Sequence, residues 1–471
     1  MKSATDYYRY FPALLLGLIA SCCLGTVAPA AERPNVVFFL IDDLGWTDVS
    51  FMGSKYYETP HVDRLASQGM VFRSAYANAP NCAPSRACLM SGQYTPRHGI
   101  YTVGDSKRGN AQFRKLEPTK NTTTLADRFV TIGEALQASG YTTATMGKWH
   151  LGKDPTTQGF DVNIAGREWG SPSGGGYHSP YKYPNLVNEK PGEYLTDRLG
   201  QEACQFIETN KDKPFFLYLT HYAVHTPIQA KKSLAAKYKA KAPVGGHKNA
   251  SYAAMIESMD DSIGAVLSKL DALKLTEKTI VIFFSDNGGH GGVTSNAPLR
   301  GSKGMLYEGG IREPLVIKWP GVTSSGSTSD EPVIGVDLYP TLLEATGAAK
   351  PKDYLLDGKS LVPLLTHPSL REELAPSTVA RGERSSRSAF RTGTGASGLS
   401  RPASPSPPAA WSRETETARP SASPRSRTNP DAPSIPRTEA RATGRLPGCC
   451  PTRRSPSAAR PYRSRWPCRP M

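Results

Sequence analysis

Cysteine is scarce where it would have to hold a fold together. Of the eight in 471 residues, Cys22 and Cys23 lie in an apolar leader and Cys449, Cys450 and Cys468 near the other end. Cys82, Cys88 and Cys204 remain for the globular part, and three scattered thiols do not make a disulfide framework. Long apolar runs are missing as well. The run from Phe11 to Leu24 falls short of the ~20 residues a membrane-spanning helix needs. It follows Lys2 and Arg9 and precedes Ala28-Pro29-Ala30, the layout of an export signal with a small-residue cleavage site. Residues 1–30 are therefore expected to direct export to the periplasm or exterior. Ile19-Ala20-Ser21-Cys22 resembles a lipobox and makes a lipid-anchored mature form the alternative.

Lysine is absent from residues 375–471, which hold 18 Arg, five acidic residues and 16 of the 40 prolines. That stretch carries +13 of the formal +16, leaving about +3 for the first 374 residues. It shows no helical or strand periodicity, and such a composition buries too little apolar surface to order itself. A polyanion-binding arm or an adhesion extension would account for it. An out-of-frame reading of a GC-rich gene accounts for it better, because a basic arm ordinarily includes lysine. The pI of 9.4 is accordingly no argument for a nucleic-acid partner, and none is expected. One large domain over residues 31–374 is the expected organisation.

Within that domain, Asn35 to Ile41 is a continuous apolar, β-rich run, as a strand buried on both faces requires. It ends in Asp42-Asp43-Leu44-Gly45. Adjacent strand residues point to opposite faces, so the two aspartates converge only where the chain turns off the strand, a turn Gly45 would permit. Thr131 and Glu134 have capping-box spacing, and Tyr141 to Met146 leads as a strand into Gly147-Lys148-Trp149-His150. Further strands are expected at Phe215–Leu219, before His221 and His225, at Thr279–Phe284, before Ser285-Asp286-Asn287, and at Leu315–Ile317. Met255, Met259, Ile263, Val266, Leu267 and Leu270 recur at helical spacing, and Asp337 is placed to cap a helix running to Glu344. Alternating strands and helices predict a three-layer α/β/α sandwich around a large, mostly parallel or mixed sheet. Ligands of such sheets gather beyond the carboxyl ends of the strands, where each of these polar clusters lies.

Asp42, Asp43, Asp286 and Asn287 supply hard oxygen donors with little competing Cys or His, a set suited to calcium or magnesium rather than zinc. The alternative is that each pair simply caps a helix or turn. Cys82 opens Cys82-Ala83-Pro84-Ser85-Arg86, continued by Leu89-Met90-Ser91-Gly92. Read alone, it is a zinc ligand, a thiol nucleophile, a disulfide partner or a buried residue at a helix start.

The stretch from Cys82 resembles the sulfatase signature, and the likeness runs from about Pro34 to Leu365. Leu299 to Gly304, containing Lys303, and Tyr307 to Pro314 also follow that family's pattern and order. The resemblance implies an alkaline-phosphatase-like fold, with a small C-terminal antiparallel subdomain to which nothing in residues 375–471 is similar. It further implies a sulfuric ester hydrolase of arylsulfatase type, matured by a formylglycine-generating enzyme that oxidises Cys82 to formylglycine. Asp42, Asp43, Asp286, Asn287 and the oxygen on residue 82 would bind the metal, usually calcium. Arg86 would hold the formylglycine, and Lys148, His150, His225 and Lys303 would contact the sulfate group.

Chemistry favours such a nucleophile, because a serine would be left as a stable sulfate ester. A hydrated aldehyde has a second hydroxyl through which sulfate is expelled, a transfer that suits a histidine. The substrate would be a sulfated small molecule or polysaccharide, with its pocket in the loops Tyr101–Lys120 and Arg167–Asn188. The alternatives are a phosphodiester or phosphonate ester hydrolase of the same superfamily and a non-catalytic polyanion-binding protein. Oligomeric state is left open.

Overall fold

The computed structural model describes residues 33–367; the leader and the arginine-rich stretch fall outside the described residues, as do the boundaries expected at 31 and 374. Nine strands form one sheet: β1 (Asn35–Ile41), β2 (Met70–Tyr76), β3 (Thr142–Gly147), β4 (Val162–Ile164), β5 (Phe215–Thr220), β6 (Thr279–Ser285), β7 (Arg312–Lys318), β8 (Ser327–Ser329) and β9 (Val333–Ile334). The order is β4-β3-β5-β1-β6-β7-β2-β8, with β9 also on β2. The run from β4 to β6 is wholly parallel, whereas β7 pairs antiparallel with both β6 and β2.

β1 shows why the sheet is central. All seven of its residues are buried, and alternate side chains go to opposite faces. Val37, Phe39 and Ile41 join a core with the helices Pro60–Gln68, Leu195–Thr209, Lys232–Lys239 and Ala250–Ala272. Val36, Phe38 and Leu40 join the other, with Cys82–Ser91, Ile132–Ala138, Leu338–Thr346 and Val362–Thr366. The expected α/β/α sandwich is thus what the chain forms. Two cores, one on each face, fix the sheet and hence the strand ends that carry the polar residues.

Local signals held to different degrees. Thr131 and Glu134 make both hydrogen bonds of a capping box, at 3.1 and 2.7 Å. Asp337 precedes its helix as expected but does not cap it. Its carboxylate instead accepts from the Ile334 and Lys359 amides, tying two loops together. The turn after β1 is made by Asp43 itself, at φ 62°, and Gly45 is not left-handed. Gly45 contributes space, since a Cβ there would lie 2.7 Å from Asn296 Oδ1 and 3.0 Å from Asp48 Oδ2. Among the described residues no helix is long and apolar enough to cross a membrane.

Candidate active site

Four neighbouring parallel strands, β3, β5, β1 and β6, deliver their carboxyl ends to one place. β1 brings Asp42 and Asp43, and β6 brings Asp286, whose amide donates to the Ile41 carbonyl at 3.0 Å. β3 leads to Lys148, whose amide donates to Thr220 O at the end of β5, at 2.7 Å. That junction depends on Gly147, at φ 110°, where a Cβ would fall 1.9 Å from the Thr220 carbonyl oxygen. Cys82 is the first residue of the Cys82–Ser91 helix, and Arg86 lies one turn on, on the same side.

Three cations each meet one carboxylate. Arg86 Nε is 2.7 Å from Asp286 Oδ2, and both side chains are almost wholly buried. Lys148 Nζ is 2.6 Å from Asp42 Oδ2, both at 0% exposure. Lys303 Nζ is 2.7 Å from the Asp43 carboxylate, which also accepts from Asn287 Nδ2 at 2.8 Å. Arg86 Nη1 donates to the Lys148 carbonyl at 2.6 Å and to the Thr220 hydroxyl. One ligand atom each of Asp42, Cys82 and Asp286 lies within 4.8 Å of the others, as do carboxylate oxygens of Asp42 and Asp43 and a ring nitrogen of His225. His225 Nε2 is 3.7 Å from Asp43 Oδ2, and its Nδ1 lies 2.6 Å from the Thr226 carbonyl.

The electrostatics follow from this packing. Burial pushes Asp42 up to about 8 despite Lys148 beside it, with Asp286 and Asp43 adding to the rise. Burial would raise Asp43 too, but Lys303, His225 and Lys148 hold it below the usual carboxylate range. Burial raises the Cys82 thiol, with Lys148 only partly opposing, so it is a poor thiolate. Burial, reinforced by Lys148, takes His150 down to about 2 and His225 to about 4. Burial would lower Lys303, but Asp43, Cys82 and Asp42 together outweigh it and hold the ammonium above its usual range. At neutral pH the cluster therefore holds two uncharged imidazoles amid fixed cations.

Two oxygen acceptors in this cluster, Asp42 Oδ1 and Asn287 Oδ1, are buried without a protein hydrogen-bond partner. Unpaired buried acceptors are costly. Carboxylate and amide oxygens are what a hard divalent cation coordinates, so the donor set fits calcium or magnesium. His150, at φ 65°, has a buried, unpartnered Nδ1, and a Cβ on Gly170 would fall 2.5 Å from its ring.

All ten residues singled out from the sequence lie in this region of the fold. Thr220 was missed; the only hint was a polar residue closing an otherwise apolar strand. His221, next in the chain, turns away toward Ser262 Oγ at 3.2 Å and is not part of the cluster. Cys88 is also apart, its sulfur 3.3 Å from His98 Nε2.

A family model described as Sulfatase matches residues 34–348. A protein of Formosa agariphila named "Sulfatase" is 36% identical over 436 residues, covering 78% of each chain. N-acetylgalactosamine-6-sulfatase of Mus musculus is 35% identical over 384 residues, 74% of this chain and 69% of that one. Among solved structures, Ps i-CgsB in complex with k-i-k-neocarrahexaose is 31% identical with a TM-score of 0.60, covering 71% of this chain and 76% of that one.

Proposed function

With the chain a member of the sulfatase family, enzymes that hydrolyse sulfate esters, we propose that the cluster around Cys82 is its active site, working through a formylglycine made from Cys82 and a divalent cation. The observation that carries this is the set of three carboxylate–cation pairs around Cys82, two of them fully buried, with two acceptor oxygens to spare. Asp42, Asp43, Asp286 and Asn287 would hold the cation, calcium before magnesium, which supplies Lewis-acid polarisation of the sulfate. Hydrated formylglycine supplies one hydroxyl to attack sulfur and a second through which sulfate is later expelled.

The remaining work falls to the chain itself. Arg86, fixed on three partners, holds residue 82 in register with the carboxylates. Lys148 and Lys303 present ammonium protons to the sulfate oxygens, where negative charge grows as the ester bond breaks. The neutral His150 and His225 are able to accept a proton. Lys303 and His225 both face Asp43, and on this reading one of the pair would return a proton to the leaving oxygen. Burial of the cluster excludes water and strengthens each of these interactions.

The substrate we propose is a sulfated saccharide. This is supported by the mouse relative's name and by the carbohydrate-bound Ps i-CgsB. Maturation would require a formylglycine-generating enzyme, and residues 1–30 would export the protein to the periplasm or exterior, with a lipid anchor on Cys22 as the alternative form. The test is turnover of nitrophenyl sulfate against a nitrophenyl phosphodiester on one formylglycine-bearing preparation. The sulfate ester should be preferred. A phosphodiester preference of about tenfold, some 1.4 kcal/mol in the barrier, would reject this reading in favour of a phosphoester hydrolase.

A further inference from the structure

A second buried polar group lies against the site and has no part in the chemistry above. Tyr252, on the Ala250–Ala272 helix, is 1% exposed. Its hydroxyl is 2.7 Å from Asp48 Oδ2 and 3.1 Å from the Asp43 carbonyl oxygen. Asp48, at 0% exposure, accepts from the Gly45 amide at 2.9 Å and from the Thr294 hydroxyl at 2.7 Å. His247 Nε2 is 3.6 Å from Asp48 Oδ1. The His247 ring stacks on Tyr57 at 4.4 Å, and the Tyr57 hydroxyl lies 2.9 Å from Thr294 Oγ1.

This network reaches the site through backbone, at Asp43 and Gly45. Asp43 is the residue that turns left-handed after β1, a conformation that persists in a non-glycine residue only when its surroundings impose it. The next amide, Leu44 N, is held by Ser285 Oγ at 3.2 Å. The peptide after Asp43 is therefore gripped on its oxygen by Tyr252 and on its nitrogen by Ser285. Its orientation decides where the Asp43 carboxylate points.

We propose that Tyr252, backed by Asp48, is a positioning residue that sets the turn at Asp43 and so aims this carboxylate at the cation. This rests on the metal reading above. Tyr252→Phe keeps the buried ring and removes only the hydroxyl. Calcium should be titrated calorimetrically into full-length, chelator-treated protein with Cys82 unmodified, so that the readout is independent of turnover. The dissociation constant should rise by about 10- to 100-fold, as for other residues that orient a metal ligand. In the formylglycine form, kcat for nitrophenyl sulfate should fall at limiting calcium and recover at saturation, with KM unchanged.

A merely structural role would lower the melting temperature equally in calcium and in chelator and leave calcium affinity as in the parent, which would overturn the proposal. Thr294→Val weakens Asp48 from the far side and should shift calcium affinity in the same direction by less. Should Tyr252→Phe not fold, unchanged affinity in Thr294→Val overturns the proposal. A parent that binds no calcium refutes the metal reading and this inference with it, whereas a binding parent with unaltered variants refutes this inference alone.

Discussion

Replacing Arg86 with Met would remove a guanidinium from a place where nothing can substitute for it. The side chain and its partner Asp286 are at 0% and 1% exposure, and Met keeps most of the aliphatic stem. What is lost is the 2.7 Å contact with Asp286 and the donors to Lys148 O and Thr220 Oγ1. What is left is a buried carboxylate without its counter-charge, and breaking a buried pair on one side costs about 3–5 kcal/mol. Total stability is only about 5–15 kcal/mol, so the variant should be near the edge of folding. The measurement is urea unfolding followed by tryptophan fluorescence, with the buried Trp149 as one reporter, in chelator and in calcium. In chelator the midpoint should drop with the slope unchanged. In calcium the drop should be smaller, because the cation restores a counter-charge to Asp286. Arg86→Lys keeps the charge without the planar fork and should fall between. A Met variant within about 1 kcal/mol of the parent in chelator would refute the premise that this pair balances the buried charge.

When the protein is produced with a formylglycine-generating enzyme, mass spectrometry should show the Cys82 peptide losing sulfur and two hydrogens and gaining one oxygen. Cys82→Ala should abolish sulfate-ester turnover. Cys88→Ala should retain it and cost about 1–2 kcal/mol in stability; the reverse pattern would mean that the site is misassigned. Burial holds His98 down to about 4. As pH falls from 6.5 toward 4 the unfolded chain takes up a proton that folded His98 refuses, so stability is lost in that window, on the order of 3 kcal/mol at most. His98→Gln does not titrate, and its unfolding free energy should decline less over the same window than the parent's.

The central strands were legible because burial on both faces leaves no polar residue until the strand ends, as in Asn35 to Ile41. The metal-ligand part of the site was legible for the same reason, since Asp42, Asp43, Asp286 and Asn287 end such runs, whereas Cys82, Arg86 and Lys303 lie off the strand ends and were singled out by the family resemblance. β2 was not anticipated, since Arg73 and Ser74 sit among its apolar residues and its pairing with β7 is set by distant chain. The turn after β1 was assigned to Gly45 because glycine is the usual left-handed residue, but the hydrogen bonds that place Asp43 there come from residues some 200 positions away. Thr220 and Tyr252 were invisible in the same way, as one polar residue at a strand end and one aromatic in a helix full of them. Local pattern reveals which residues are polar at a strand end, and tertiary contacts alone reveal what holds them.

With Asp42 ionised, three carboxylates matched by three cations leave the cluster close to electroneutral before anything binds. A divalent cation entering alone would unbalance it in one direction and a sulfate ester in the other, and net charge in a dry pocket is expensive. Together they leave a single net positive charge, half of what the cation alone would impose. On the metal reading the two ligands are therefore heterotropic partners, each recruiting the other. By linkage, the factor by which calcium tightens sulfate binding must equal the factor by which sulfate tightens calcium binding. Such a pocket resists the cation alone more than it resists the cation and the ester together.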